Sequence, residues 1–220
     1  MMQMGTHPTE NLQETTQKRK RSSKREWKKL VAEFQQPHTG RATWQLINTL
    51  VPIFAIWVSI YFLKDISLWL CIPPAVLGGL FMVRAFIIFH DCGHGSFLKS
   101  KRANSIIGFI TGMLTFTPYR QWSWEHARHH ATNGDLDRRG IGDIWTLTVE
   151  EYVSSSRRLQ LSYRFIRNPI ILFVFAPIVL FVILQRFPNS KAKKKERQSV
   201  HLMNITLACW CIGMSMIYGF

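Results

Sequence analysis

From Trp44 to Leu63 the chain runs 20 residues without a charge. As a helix, such a run covers about 30 Å, the thickness of bilayer hydrocarbon. A backbone in that medium must satisfy its own hydrogen bonds, which leaves helices as the fold for this stretch. After a turn at Lys64 and Asp65, Ile66 to Phe89 is interrupted only by Arg84. Pro73, Pro74, Gly78 and Gly79 are tolerated in a membrane helix and predict a kink in this one. The two runs read as a helical hairpin.

Two further uncharged runs, Asn168 to Gln185 and Leu202 to Phe220, predict spans three and four. Ala103 to Thr117 is apolar but only about 22 Å long as a helix. It reads as a re-entrant or interfacial segment, or as a buried helix. A half-span returns the chain to its starting side, so the segments before and after it share one compartment. The expected fold is all-α and integral to the membrane, with about four transmembrane helices arranged as two hairpins.

Charge sets the orientation. The chain carries 28 Lys+Arg against 13 Asp+Glu, a formal net charge of +15. The opening MMQMGTHPTENLQETTQKRKRSSKREWKK is polar and basic, with too few apolar groups to offset the entropy of ordering. Residues 1–38 are therefore expected to form a disordered basic arm, and 39–220 a single membrane domain. No apolar stretch near Met1 resembles a secretory signal. The KRKRSSKR run beside membrane spans reads as a flank drawn to anionic lipid, and no nucleic-acid partner is expected. The arm and the basic residues between spans two and three fall on one side, assigned as cytoplasmic. The basic loop NSKAKKKERQS conflicts with this assignment, because four crossings place it outside. Arg84 has two readings: snorkelling to the interface, or pairing with a carboxylate near a site. Cys71, Cys92, Cys209 and Cys211 show no CxxC pair and read as reduced apolar fillers.

The chemistry-bearing residues are histidines. His90 and His94 lie in HDCGH; His126, His129 and His130 lie in HARHH. Residues three or four apart share a helix face, so each run aims imidazoles at one point. Imidazole suits iron, zinc, copper or nickel. Two such runs, one a triplet, predict a metal site at the membrane boundary. The H-E-x-x-H order of zinc hydrolases is absent, although Glu125 precedes His126.

HDCGHGSF, then TPYRQWSWEHARHH, then GDLDRRGIGDIWTLTVEEY resemble the membrane fatty acid desaturases, in particular acyl-lipid Δ12 (ω-6) enzymes. The resemblance covers about residues 40–220. It implies a mostly helical membrane fold with a cytosolic cap carrying the histidine boxes. It implies a non-haem di-iron centre, with His90, His94, His126, His129 and His130 among its metal ligands. The implied reaction is O2-dependent removal of two hydrogens from an acyl chain of a membrane lipid, with electrons from ferredoxin or a cytochrome b5-like protein. An alkyl C–H bond has no acid or base handle, so a redox metal is needed, and zinc would not serve.

Around those ligands several residues carry two readings. Asp91 either accepts a hydrogen bond from a ligand imidazole or caps a turn. Asp135, Asp137, Arg138, Arg139 and Asp143 form either an ion-pair network behind the metal site, with Asp135, Asp137 and Asp143 in contact with its ligands, or a solvated loop. Trp122, Trp124 and Trp145 line an acyl path or sit at the membrane interface. Gly93 and Gly95 permit close packing at the first box.

The resemblance also implies a third His-x-x-His-His box after span four. Five histidines fall short of a full two-iron ligand set. The 220 residues thus read as an N-terminal fragment, a truncated frame or a degenerate copy, expected to be inactive alone. A non-catalytic membrane protein with a partial metal site, or a hydroxylase or ketolase on the same scaffold, stays open beside the desaturase reading.

Overall fold

The first long apolar helix, α1 (Thr39–Leu63), begins where His38 accepts a hydrogen bond from the Arg41 N–H through Nδ1 at 3.2 Å. A computed structural model describes residues 26–27, 30–32, 36–139 and 144–219. The expected disordered arm over 1–38 therefore lies mostly outside the described residues; of those described there, 26–27 and 30–32 are helical. Ala42, Thr49, Ile53 and Ile56 form the buried stripe of α1, while Trp44, Val51, Phe54 and Phe62 are exposed. Apolar residues turned outward along a 25-residue helix are what lipid, not water, would cover.

A turn closed by a Lys64–Asp65 ion pair of 2.7 Å leads through a short 3-10 turn, Leu68–Cys71, into α2 (Ile72–His94). Pro73 and Pro74 occupy the first turn of α2. There the missing N–H has no intrahelical partner to lose, so the prolines start this helix; the expected mid-helix kink is not their effect. Arg84 bonds across the hairpin: its Nη2 donates to Asn48 Oδ1 at 2.6 Å and its Nε to Thr49 Oγ1 at 3.4 Å. Its partners are thus neutral side chains of α1. Directly after His94, Gly95 takes φ 69°, and its N–H and that of Ser96 close onto Cys92 O and Asp91 O. This left-handed cap, open to glycine without penalty, ends α2 at the last histidine of the first box.

The chain returns along α2 as α3 (Lys101–Leu114), whose buried face is Asn104, Gly108, Thr111 and Gly112. Asn104 anchors the connection by pairing with both backbone groups of Leu98, at 2.7 and 2.9 Å. Helices α4 (Tyr119–Thr132), α5 (Val149–Ser154) and α6 (Arg157–Ile166) follow. None of α3 to α6 is long enough to cross a bilayer alone.

Among the described residues, three helical stretches are long and apolar enough to cross: Thr39–Leu63, Leu68–His94 and α8, Lys194–Tyr218. The expected third span is α7 (Ile171–Arg186), which meets α6 at a bend of 59° and contains two π-helical stretches. Pro169 sits at that break and disfavours helical geometry at Asn168, whose side chain instead accepts from the Ile170 N–H at 2.9 Å. Helices α6 and α7 make a fourth span only if the bent pair counts as one. The basic KKKER run is no loop: Lys194 to Arg197 form the first turn of α8.

Candidate metal centre

The two boxes lie on different helices, and packing brings them together. His90 and His94 end α2; His126 and His130 sit four apart on α4. His126 Nε2 lies 3.0 Å from His90 Nε2, 3.2 Å from His94 Nε2 and 3.0 Å from His130 Nε2, while His90 and His94 are 3.3 Å apart. One ligand atom from each of the four falls within 4.8 Å of every other. Nitrogens held about 2.0–2.1 Å from one tetrahedral ion would stand roughly 3.3–3.4 Å apart. Four of the six separations, at 3.0–3.3 Å, approach that spacing; the other two, from His130 to His90 and to His94, lie within 4.8 Å. Four ring nitrogens converging on one point repel as lone pairs, and a cation resolves the conflict.

The residues behind the rings prepare them for that role. Asp91 Oδ1 lies 3.0 Å from His90 Nδ1. A carboxylate only accepts, so the Nδ1 carries the proton and the Nε2 lone pair faces the cluster. Burial, then the neighbouring His90 and His130 rings, push the His126 imidazole down to about 4. At neutral pH that ring is uncharged and available as a ligand.

Trp122 forms the floor. Its ring stacks on His126 with centroids 4.3 Å apart and 17° between planes, and it packs 4.7 Å from Phe89. Gly93 makes this approach possible, because a Cβ there would lie 2.9 Å from the Trp122 ring. Phe86 and Phe181 extend the aromatic wall, each within 5.7 Å of a ring in it. Tyr119 ties α4 to α2 by donating to Cys92 O at 2.7 Å.

The far side of α4 is fixed by the connection between α7 and α8 and by the start of α8. Gln121 accepts from the Asn189 N–H at 2.9 Å, its own N–H donates to Ser199 Oγ at 3.2 Å, and Asn189 Nδ2 donates to Glu125 Oε1 at 2.9 Å. Burial raises the Glu125 carboxyl above its ordinary range, against the Asn189 hydrogen bond that lowers it. The sequence offered no sign of these contacts, which join residues 64 to 78 positions apart.

The remaining predicted residues are placed as follows. His129 stands outside the four-nitrogen group; its ring lies parallel to His126 at 5.9 Å and lines a neighbouring cavity of about 500 Å³ with Asp135, Arg139 and Arg167. Asp135 pairs with Arg138 at 2.7 Å and accepts from the Asp137 N–H at 3.1 Å. Arg139 pairs instead with Glu151, a residue the sequence reading passed over although it closes a capping box with Thr148. Arg139, and then the Thr148 N–H, hold the Glu151 carboxyl down at about 2. Asp143 lies outside the described residues. Trp124 carries Arg128 over its ring at 5.0 Å, and Trp145 packs edge-on against Tyr163 at 5.4 Å. Of the three tryptophans, Trp122 alone is described in contact with the cluster. Its spacing, four before His126, was the available signal.

The family profile described as fatty acid desaturase matches residues 67–220. A fatty acid desaturase of Bacillus subtilis is 47% identical over 191 residues, covering 87% of this chain and 54% of that protein. An sn-1 oleoyl-lipid 12-desaturase of Synechocystis sp. is 28% identical over 176 residues, covering 80% of this chain and 48% of that protein. An sn-1 acyl-lipid omega-3 desaturase (ferredoxin) of Synechocystis sp. is 35% identical over 118 residues, covering 54% and 28%. The chain spans about half the length of the first curated relatives it matches. No solved structure matches it.

Proposed function

This chain belongs to the fatty acid desaturase family, and on that premise we propose that its four-histidine cluster is part of a non-haem di-iron centre that desaturates acyl chains of membrane lipids. The reaction removes two hydrogens from adjacent carbons and leaves a cis double bond; those two hydrogens, with O2, two electrons and two protons, end in two molecules of water. Bound iron would supply the oxidising power that no side chain here possesses. The convergence of four Nε2 atoms within 4.8 Å is the observation that carries this reading. His90, His94, His126 and His130 are assigned to one ion, and His129, which lines the adjoining cavity, to a second.

The protein's own groups bind and orient. Asp91 holds the His90 proton on Nδ1. Trp122, Phe86, Phe89 and Phe181 form an apolar wall on the His90 and His126 side of the cluster, a surface for an alkyl chain to lie against, while His94 and His130 are exposed. Ferredoxin or a cytochrome b5-like protein is the proposed electron donor; one relative's name specifies ferredoxin. The proposed topology keeps the boxes, the cap and the N-terminus in the cytoplasm, on the strength of the basic residues from α3 to α6. The expected second hairpin is given up, because Ser199 near the start of α8 bonds Gln121 of α4 while Tyr218 at its other end bonds Trp57 of α1. Helix α8 therefore runs the same way as α1, and α7 returns to the side it started from.

The test is metal analysis of the purified full-length protein, with lipid analysis of a desaturase-deficient host that expresses it. Iron and new cis double bonds are expected. Zinc without iron, or a hydroxylated product without a double bond, would overturn the reading.

A further inference from the structure

A cleft of about 840 Å³ opens between the first turns of α3, α4 and α8. Its rim carries Arg102, Arg120 and Lys195, all exposed, and no acidic side chain lines it. Among the described residues none of the three has an ion-pair partner. Each is the second residue of its helix, where the peptide dipoles already place positive charge. Three cations on three positive helix ends repel one another and their own helices, and an anion between them relieves that repulsion. The floor is of the opposite kind. Ile106 and Ile110 lie one and two turns into α3, and Leu202 two turns into α8. A charged mouth over an apolar floor, at the end of a membrane-crossing helix, complements an amphiphile at headgroup depth.

We propose that this cleft binds one anionic phospholipid, its phosphate held by Arg102, Arg120 and Lys195 and its proximal acyl carbons against Ile106, Ile110 and Leu202. The apolar floor selects a lipid over a soluble acidic protein, whose surface would meet only the rim. The site is independent of the catalytic reading. Tyr119 is the shared wall: it lines the cleft and bonds α2 at Cys92 O, behind the histidines.

The experiment is native mass spectrometry of the full-length protein released from vesicles of phosphatidylcholine with phosphatidylglycerol. The wild type should retain one phosphatidylglycerol per chain. The triple variant Arg102→Gln, Arg120→Gln, Lys195→Gln should retain at least tenfold less, while Arg158→Gln, an exposed cation elsewhere, should match wild type. Ile110→Trp fills the floor without altering charge and should also lose the lipid. Millimolar inorganic phosphate should not displace it. Equal retention by wild type and triple variant overturns the proposal, as does equal retention of phosphatidylcholine and phosphatidylglycerol. An unaffected Ile110→Trp, or displacement by phosphate, would mean the rim alone binds anions and also overturns it. So would a wild type that holds no lipid but binds an acidic soluble protein through the same three cations.

Discussion

His126 Nε2 lies 3.0 Å from His90 Nε2, although 36 positions separate the two residues. Helix α4 brings the second box to the first, and His126 is the shared vertex: each of the other three Nε2 atoms in the cluster lies within 3.2 Å of it.

Replacement of His126 by Ala should therefore cost more metal than any other single change. Iron per chain, measured on purified protein, should fall in the order wild type, His129→Ala, then His90→Ala, His94→Ala and His130→Ala, with His126→Ala lowest. A loss for His129→Ala equal to that for His126→Ala would show that the four-nitrogen cluster is not the tighter site.

Asp91→Ala should weaken metal binding by about 10–100-fold, the usual effect of removing a carboxylate behind a ligand imidazole. The backbone carbonyl of Asp91, which accepts from Ser96, is untouched by the change. Thermal unfolding of the metal-free protein should thus stay close to wild type. A large drop in that unfolding temperature would return Asp91 to a turn-capping role.

Gly93→Ala and Gly95→Ala act by different routes. The new Cβ at Gly93 meets the Trp122 ring at 2.9 Å and should cost about 1–3 kcal/mol while displacing the ring from His126. At Gly95 nothing lies within 4 Å, and the loss should be about 1–2 kcal/mol, from the left-handed backbone. Near-ultraviolet circular dichroism separates them, since only Gly93→Ala moves a tryptophan. An unchanged spectrum for Gly93→Ala would contradict the packing.

Glu151 gives the pH prediction. Its carboxyl is held at about 2 in the fold against an ordinary 4.5. A depressed folded value means that the Arg139–Glu151 contribution is complete above about 4.5 and fades as pH falls toward about 2. The carboxyl signal of Glu151 should titrate in that low range, and in Arg139→Gln it should move up toward the ordinary value. A wild-type midpoint at the ordinary value would refute the pair.

What the sequence made legible was local. Four-residue spacing marked His90/His94 and His126/His130, uncharged runs marked α1 and α8, and a run broken only by Arg84 marked α2. His129 shows the limit of spacing: three residues advance a helix by about 300°, so the ring points roughly 60° away from His126, and from His130 by about 100°. One triplet cannot aim all its rings at one ion. The break at Pro169 was present as a residue, but the apolar run around it reads the same for a straight helix and a bent one. The ties from Gln121 and Glu125 to the α7–α8 connection left no local pattern, because neither partner is unusual until the chain has folded.

Those ties also order events during synthesis. A nascent chain that has produced α1 to α4 already holds every histidine of the cluster. Tyr119 and Trp122 already hold one side of α4 to α2, but its far side is still loose, because Asn189 and Ser199 are yet to be made. Chains emerge from the ribosome at roughly 5–20 residues per second, so the interval lasts several seconds. Through it the rings of the second box can swing away from the first and bind stray ions one or two at a time. Correct loading thus belongs after α8 has docked, and a metal chaperone acting on this protein would meet a chain that already carries α8 rather than one that stops at α4.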